Sequence, residues 1–142
     1  MADTVDYSRY ILKTYKFWTV YLNANQAYLG RCYIALHRDG NLDPFLETTE
    51  AERRELGLIV AAVQKALNGL YQPDIYNYAN LRNTWPKCHW HIIPRYRQAR
   101  TINGCTFRDR NWGKNYAPYD RNFTVSEEVM AKILQGFSAA LM

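Results

Sequence analysis

The segment from Thr49 to Gly69 leaves this chain few folds to choose from. Thr49 can cap a helix with its hydroxyl, and Glu52, three residues on, can reach back to the cap's own N–H. Leu56, Ile59, Val60, Val63 and Leu67 then recur at helical spacing, with Arg53, Arg54, Gln64 and Lys65 off that stripe. Gly69 reads as the stop. A one-sided helix of about five turns must bury its stripe against a sheet or another helix.

The flanking sequence supplies a sheet. Residues 15–22 are rich in aromatic and β-branched types and read as a strand. Asn23, Ala24 and Asn25 form a turn into a second strand from Tyr28 to Leu36, making an antiparallel hairpin. Residues 1–14 are expected to be an N-terminal arm. Further strands are expected at 73–81, from Cys88 to Ile93 with Pro94 as the stop, and near 102–107. Residues 111–122 read as a long loop, and Thr124 with Glu127 opens a last helix carrying Val129, Met130, Ile133 and Leu134. The pattern predicts an α+β fold in a single domain over residues 1–142. Its parts are an antiparallel sheet of about five strands, one long helix and a short C-terminal helix.

Apolar residues make up 48% of the chain, which excludes a disordered protein. No apolar run reaches membrane-spanning length, and the start MADTVDYSRY lacks a signal peptide's pattern. Cys32, Cys88 and Cys105 are odd in number and widely spaced, which suits a reducing compartment, so the cytoplasm is expected. The net charge of +5 is concentrated between Lys87 and Lys114, where Arg95, Arg97, Arg100, Arg108 and Arg110 face Asp109 alone. Such a field attracts phosphates or acidic partners. Spread this widely it also reads as plain surface, so nucleic acid is not an expected partner.

The strand after Lys87 carries the chemistry. Side chains alternate with period two, so Lys87, His89 and His91 share one face and Cys88, Trp90 and Ile92 the other. Paired imidazoles can be plain structural residues, metal ligands or acid–base and nucleophilic groups. Zinc is disfavoured: His37 is the only other histidine, Cys88 faces away, and nothing has metal-ligand spacing. Asn83 and Thr84, just upstream, can donate to phosphate oxygens, and Lys87 can add charge. No glycine-rich phosphate loop is present.

The stretch Lys87-Cys88-His89-Trp90-His91-Ile92-Ile93-Pro94-Arg95 resembles the strand motif of the histidine triad (HIT) family of nucleotide hydrolases and transferases. The resemblance extends over Tyr76–Pro86, Tyr28–Leu36, the helix from Thr49 and Phe107–Tyr116, the last of these resembling a bacterial dinucleoside-polyphosphate-hydrolase-like branch. It implies that His89 attacks the α-phosphorus of a nucleotide, forming a nucleotidyl-imidazole that water then opens. His91 helps to place the phosphate, Asn83 and Thr84 touch phosphate or leaving group, and Asn77 lies near the ribose and phosphate. Dinucleoside polyphosphates and adenylated compounds are the implied substrates, and a homodimer the implied assembly. No cofactor is required by the protein, and Mg2+ can ride in with the substrate. A nucleotide-binding module without turnover, and a phosphorylase or nucleotidyl transferase, are the alternatives.

Two departures stand out. The first motif histidine is Lys87, and a further family histidine falls on Asp39. Their opposite charges predict that the two side chains approach each other as an ion pair. Arg82 stands where close relatives have glycine. Arg95 is expected to brace the end of the sheet or the dimer rather than touch substrate. Tyr28, Tyr33 and Leu36 are candidates for lining a base slot, while Trp112 and Tyr116 read as packing.

Overall fold

The computed structural model describes residues 6–142. Five strands, β1 (Ile11–Thr14), β2 (Trp18–Leu22), β3 (Cys32–Leu36), β4 (Ile75–Ala79) and β5 (His89–Arg95), form an antiparallel sheet in the order β1-β2-β3-β5-β4. A long helix, α1 (Glu50–Leu70), connects β3 to β4. A hairpin of β6 (Arg100–Ile102) and β7 (Cys105–Phe107) and a shorter helix, α2 (Glu127–Ala140), complete the α+β fold.

Cross-strand pairing fixes which side chains share a face. Val20 pairs with Ile34 and Ile34 with Trp90, while Tyr21 pairs with Tyr33 and Tyr33 with His91. Even-numbered residues of β2, β3 and β5 therefore point to one side and odd-numbered residues to the other. The even side packs against α1, which brings Ile59, Val63, Ala66 and Leu67 onto Trp18, Val20, Leu22, Cys32, Ile34, Leu36 and Ile92. Val129, Met130, Ile133 and Phe137 of α2 join the same core. Among the described residues no helix is long and apolar enough to cross a membrane.

The capping box at Thr49 and Glu52 is present. Glu52 also takes two bonds from Arg38, whose guanidinium helps to pull the carboxyl down to about 2. Several boundaries differ from the sequence expectation. Of the expected 1–14 arm, Tyr7–Tyr10 is a 3-10 turn and Ile11–Thr14 is an edge strand, with buried Leu12 anchoring it in the core. Residues 1–5 lie outside the described region. Gly69 lies inside α1, which ends one residue later against Tyr71. Ser126, rather than Thr124, caps α2 by accepting from the Val129 N–H. The single strand expected near 102–107 is a hairpin folded at Asn103-Gly104, both at positive φ.

Pro94 does not stop β5. The Leu36 N–H donates to Cys88 O, so even-numbered residues of β5 turn their backbone groups toward β3. Pro94 would meet position 30, but β3 begins only at Cys32. There Gly30 turns at φ 83, and a Cβ on it would come within 2.7 Å of Leu67. The missing proline N–H therefore falls beyond the neighbouring strand, where no ladder bond is due.

Candidate functional site

His89 and His91 project from the odd side of β5, their ring centroids 4.9 Å apart. They stand at the base of a cavity of about 860 Å3. One wall is the segment Leu81–Trp85, another is Asn23, Ala24 and Asn25, and Tyr21 and Tyr33 form the floor beside the histidines. Tyr7 closes one side. The Tyr21 and Tyr33 rings stack at 4.9 Å, a consequence of their direct pairing across β2 and β3. Trp85 leans over His89 at 4.7 Å. His89 is thus only 6% exposed, held among aromatic rings rather than on an open face.

His89 has a defined tautomer. Its Nδ1 lies 2.6 Å from the Lys87 carbonyl oxygen, which can only accept, so Nδ1 carries the proton. The lone pair is left on Nε2. Burial lowers the His89 pKa below the ordinary histidine value, partly offset by this carbonyl. His91 is pulled down to about 4, first by burial and then by the nearby charge of Arg31 and by His89. Both imidazoles are neutral at pH 7. His91 Nδ1 is buried with no hydrogen-bond partner among the described residues.

Of the residues singled out from sequence, His89, His91, Asn83 and Thr84 meet at the cavity. Lys87 is not among the residues that line it. Its ammonium instead turns to His37 O at 3.4 Å and Asp39 at 3.5 Å. The expected Lys87–Asp39 approach is present, with Asp39 fully exposed, so water screens the pair strongly. His37 bonds to Thr19 at 2.8 Å, outside the cavity lining.

Asn77 and Arg95 meet each other instead of the cavity. Asn77 Oδ1 accepts from Arg95 at 2.8 Å. Arg95 also forms a two-pronged pair with the fully buried side chain of Asp109 and donates to the carbonyls of Asn111 and Lys114. Its guanidinium is a bracket for the loop after β7. Of the proposed base-slot residues, Tyr33 lines the cavity, whereas Leu36 is core and Tyr28 bonds to Tyr116 O on that loop. Arg82 lines the cavity wall at φ 53 and donates to Asn41.

Sequence reasoning missed Tyr7, Tyr21, Trp85 and Arg31. Alternation in the hairpin could have flagged Tyr21 and Arg31 as sharing a face with Tyr33. That β3 lies beside β5 was not readable, and only that pairing brings them to the histidines. No group of three or more His, Cys, Asp or Glu side chains among the described residues is arranged to hold a metal ion.

No family model matches the sequence, and no curated protein matches it. Solved structures do match. The chain is similar to a histidine triad protein from Bradyrhizobium japonicum, with TM-score 0.75 and 15% identity, covering 93% of this chain and 90% of that one. A histidine triad (HIT) protein from Sinorhizobium meliloti gives TM-score 0.75 and 16% identity, covering 96% of each chain. A histidine triad protein from Marinobacter aquaeolei gives 0.68 and 19%, covering 92% of this chain and 87% of that one. The chain has the histidine-triad fold.

Proposed function

We propose that the protein binds a nucleotide in the cavity over the histidine side of the sheet and cleaves it at the α-phosphorus. The single observation that carries this reading is the bond from His89 Nδ1 to Lys87 O, which leaves Nε2 as a nucleophile. Nε2 forms a bond to the α-phosphorus, and the bond to the bridging oxygen breaks. The leaving phosphate takes that electron pair. The Lys87 carbonyl stabilises the positive charge that the ring acquires. Water then attacks the phosphorus, the N–P bond breaks with its electrons returning to Nε2, and the water's proton passes to solvent. A nucleoside monophosphate is released. Asn83 and Thr84 stand on the cavity wall, where they can donate to phosphoryl oxygens, and His91 steadies the same group. Lys87 acts through its carbonyl rather than its ammonium. Dinucleoside polyphosphates and adenylated compounds are the substrates that this reading favours. Any Mg2+ comes with them, since the chemistry above needs no ligand from the protein.

The test is mass spectrometry of the protein quenched after mixing with diadenosine polyphosphate or an adenosine phosphoramidate. An AMP adduct on His89, lost in His89→Asn, is expected. Release of product with no adduct and unchanged turnover in His89→Asn overturns the covalent route. Binding without turnover is a second reading, favoured by the Trp85 ring lying over His89. Tight AMP binding with no product from any adenylated substrate would establish it. Added inorganic phosphate that diverts the product to a nucleoside diphosphate would mark a phosphorylase. For the homodimer, the open edge of β4, with exposed Ile75 and Tyr78, offers a surface for a second copy.

A further inference from the structure

We propose that Arg31 receives the anionic phosphoryl end of the ligand. This rests on the nucleotide reading above and adds to it a residue outside that scheme. Arg31 continues the odd side of the sheet: the Asn23 N–H donates to its carbonyl at 2.9 Å, one step beyond the Leu22–Cys32 pair. Asn23 lines the cavity and the Arg31 charge acts on His91, so the guanidinium sits at the margin of the cavity, behind its lining residues.

Arg31 is 4% exposed, yet its Nε and Nη1 have no hydrogen-bond partner among the described residues. It takes part in none of the ion pairs among them. The contrast with Arg95, equally buried but paired with Asp109 and bonded to two carbonyls, shows what a satisfied buried guanidinium looks like in this molecule. Ring faces lie beside it: its guanidinium is 4.6 Å from the centre of the Tyr119 ring and 5.5 Å from that of Tyr116. These rings offer no oxygen to its Nε and Nη1 donors, which stay without acceptors among the described residues. A buried cation without a counter-charge is costly, and a planar edge of donors matches a phosphate. Asn25 lines the cavity and donates to Asp120 O, so the loop that stacks on Arg31 also touches the cavity wall. His91, which lines the cavity and feels the Arg31 charge, has a buried nitrogen of its own, Nδ1, without a partner among the described residues.

The test measures AMP and adenosine binding by calorimetry on the full chain, as wild type, Arg31→Gln and Arg31→Met. The expected result is that both variants lose about 10- to 100-fold in AMP affinity and keep adenosine affinity. A loss of AMP affinity below tenfold overturns the assignment, because water or the protein then satisfies the guanidinium. Failure of both variants to fold also overturns it, since removing an unpaired buried charge should not unfold the free protein. If wild type binds neither AMP nor adenosine, the nucleotide reading falls, and inorganic phosphate decides the fate of Arg31. A phosphate-induced rise in Tm in wild type that both variants lack upholds the anion site. No rise, or an equal rise in all three, ends it.

Discussion

On its helix side the sheet buries Val20, Ile34 and Ile92 completely. One residue along the same strands, on the other side, Tyr21, Tyr33 and His91 surround a cavity of about 860 Å3. The first side is apolar and close-packed, and burial there pushes up the Cys32 and Cys88 thiols and the Tyr76 phenol. The second presents tyrosine and histidine rings to open space, and burial there pulls both imidazoles down. The difference teaches that stability and chemistry are segregated by parity along shared strands. Substitutions on the two sides should therefore fail in different ways.

The largest expected effect is on chemistry. His89→Asn should lower turnover of a diadenosine polyphosphate by at least about 10^4-fold. Its melting temperature should move by only a few degrees. Asparagine is the better probe than alanine because His89 is packed under Trp85 and an empty space there would confuse the readout. On the opposite side, Ile34→Ala should cost about 2–5 kcal/mol in urea unfolding while leaving kcat of the folded fraction near wild type. Comparable losses of turnover in both variants would break the comparison.

Acid should separate the sides as well. His91 titrates near 4 when folded, against about 6.5 in an unfolded chain. The unfolded state binds a proton first as pH falls, so the contribution of His91 is complete above about 6.5 and drains away between about 6.5 and 4. Stability against urea should decline through that window in wild type and decline less in His91→Phe. The same sign applies to His89, whose lowered pKa keeps the nucleophile free of a second proton at neutral pH. The acid limb of kcat/KM should accordingly lie below 6.5. The smallest effect belongs to the exposed Lys87–Asp39 pair: Lys87→Ala should leave Tm unchanged within error and reduce turnover less than about fivefold.

Much of this was legible in the chain. The helix stripe and its capping box are local patterns, and both stand where Thr49, Glu52, Ile59 and Val63 predicted. The shared face of His89 and His91 followed from alternation alone. Lys87 misses the cavity because the Asp39 carboxylate and the His37 carbonyl draw its ammonium elsewhere, the same opposite charges that the sequence had paired. Asn77 and Arg95 lie on the same sheet face as the histidines, but at the far end from them, where Asp109 draws Arg95 away. Arg31 escaped notice because burial without a partner is a property of packing, invisible before the loop carrying Tyr116 and Tyr119 is seen to fold over it.

The acceptor that orients His89 is a main-chain oxygen, and this bears on how the site can change over generations. A side-chain acceptor can be deleted by one codon change, whereas a carbonyl travels with whatever residue occupies position 87. Drift at that position can thus exchange a ring for an ammonium, or for neither, while the imidazole two residues on keeps its proton on the same nitrogen. Beyond His89 itself, the heritable requirement is the bend of the chain between Pro86 and His89, and substitutions that straighten it should extinguish the nucleophile.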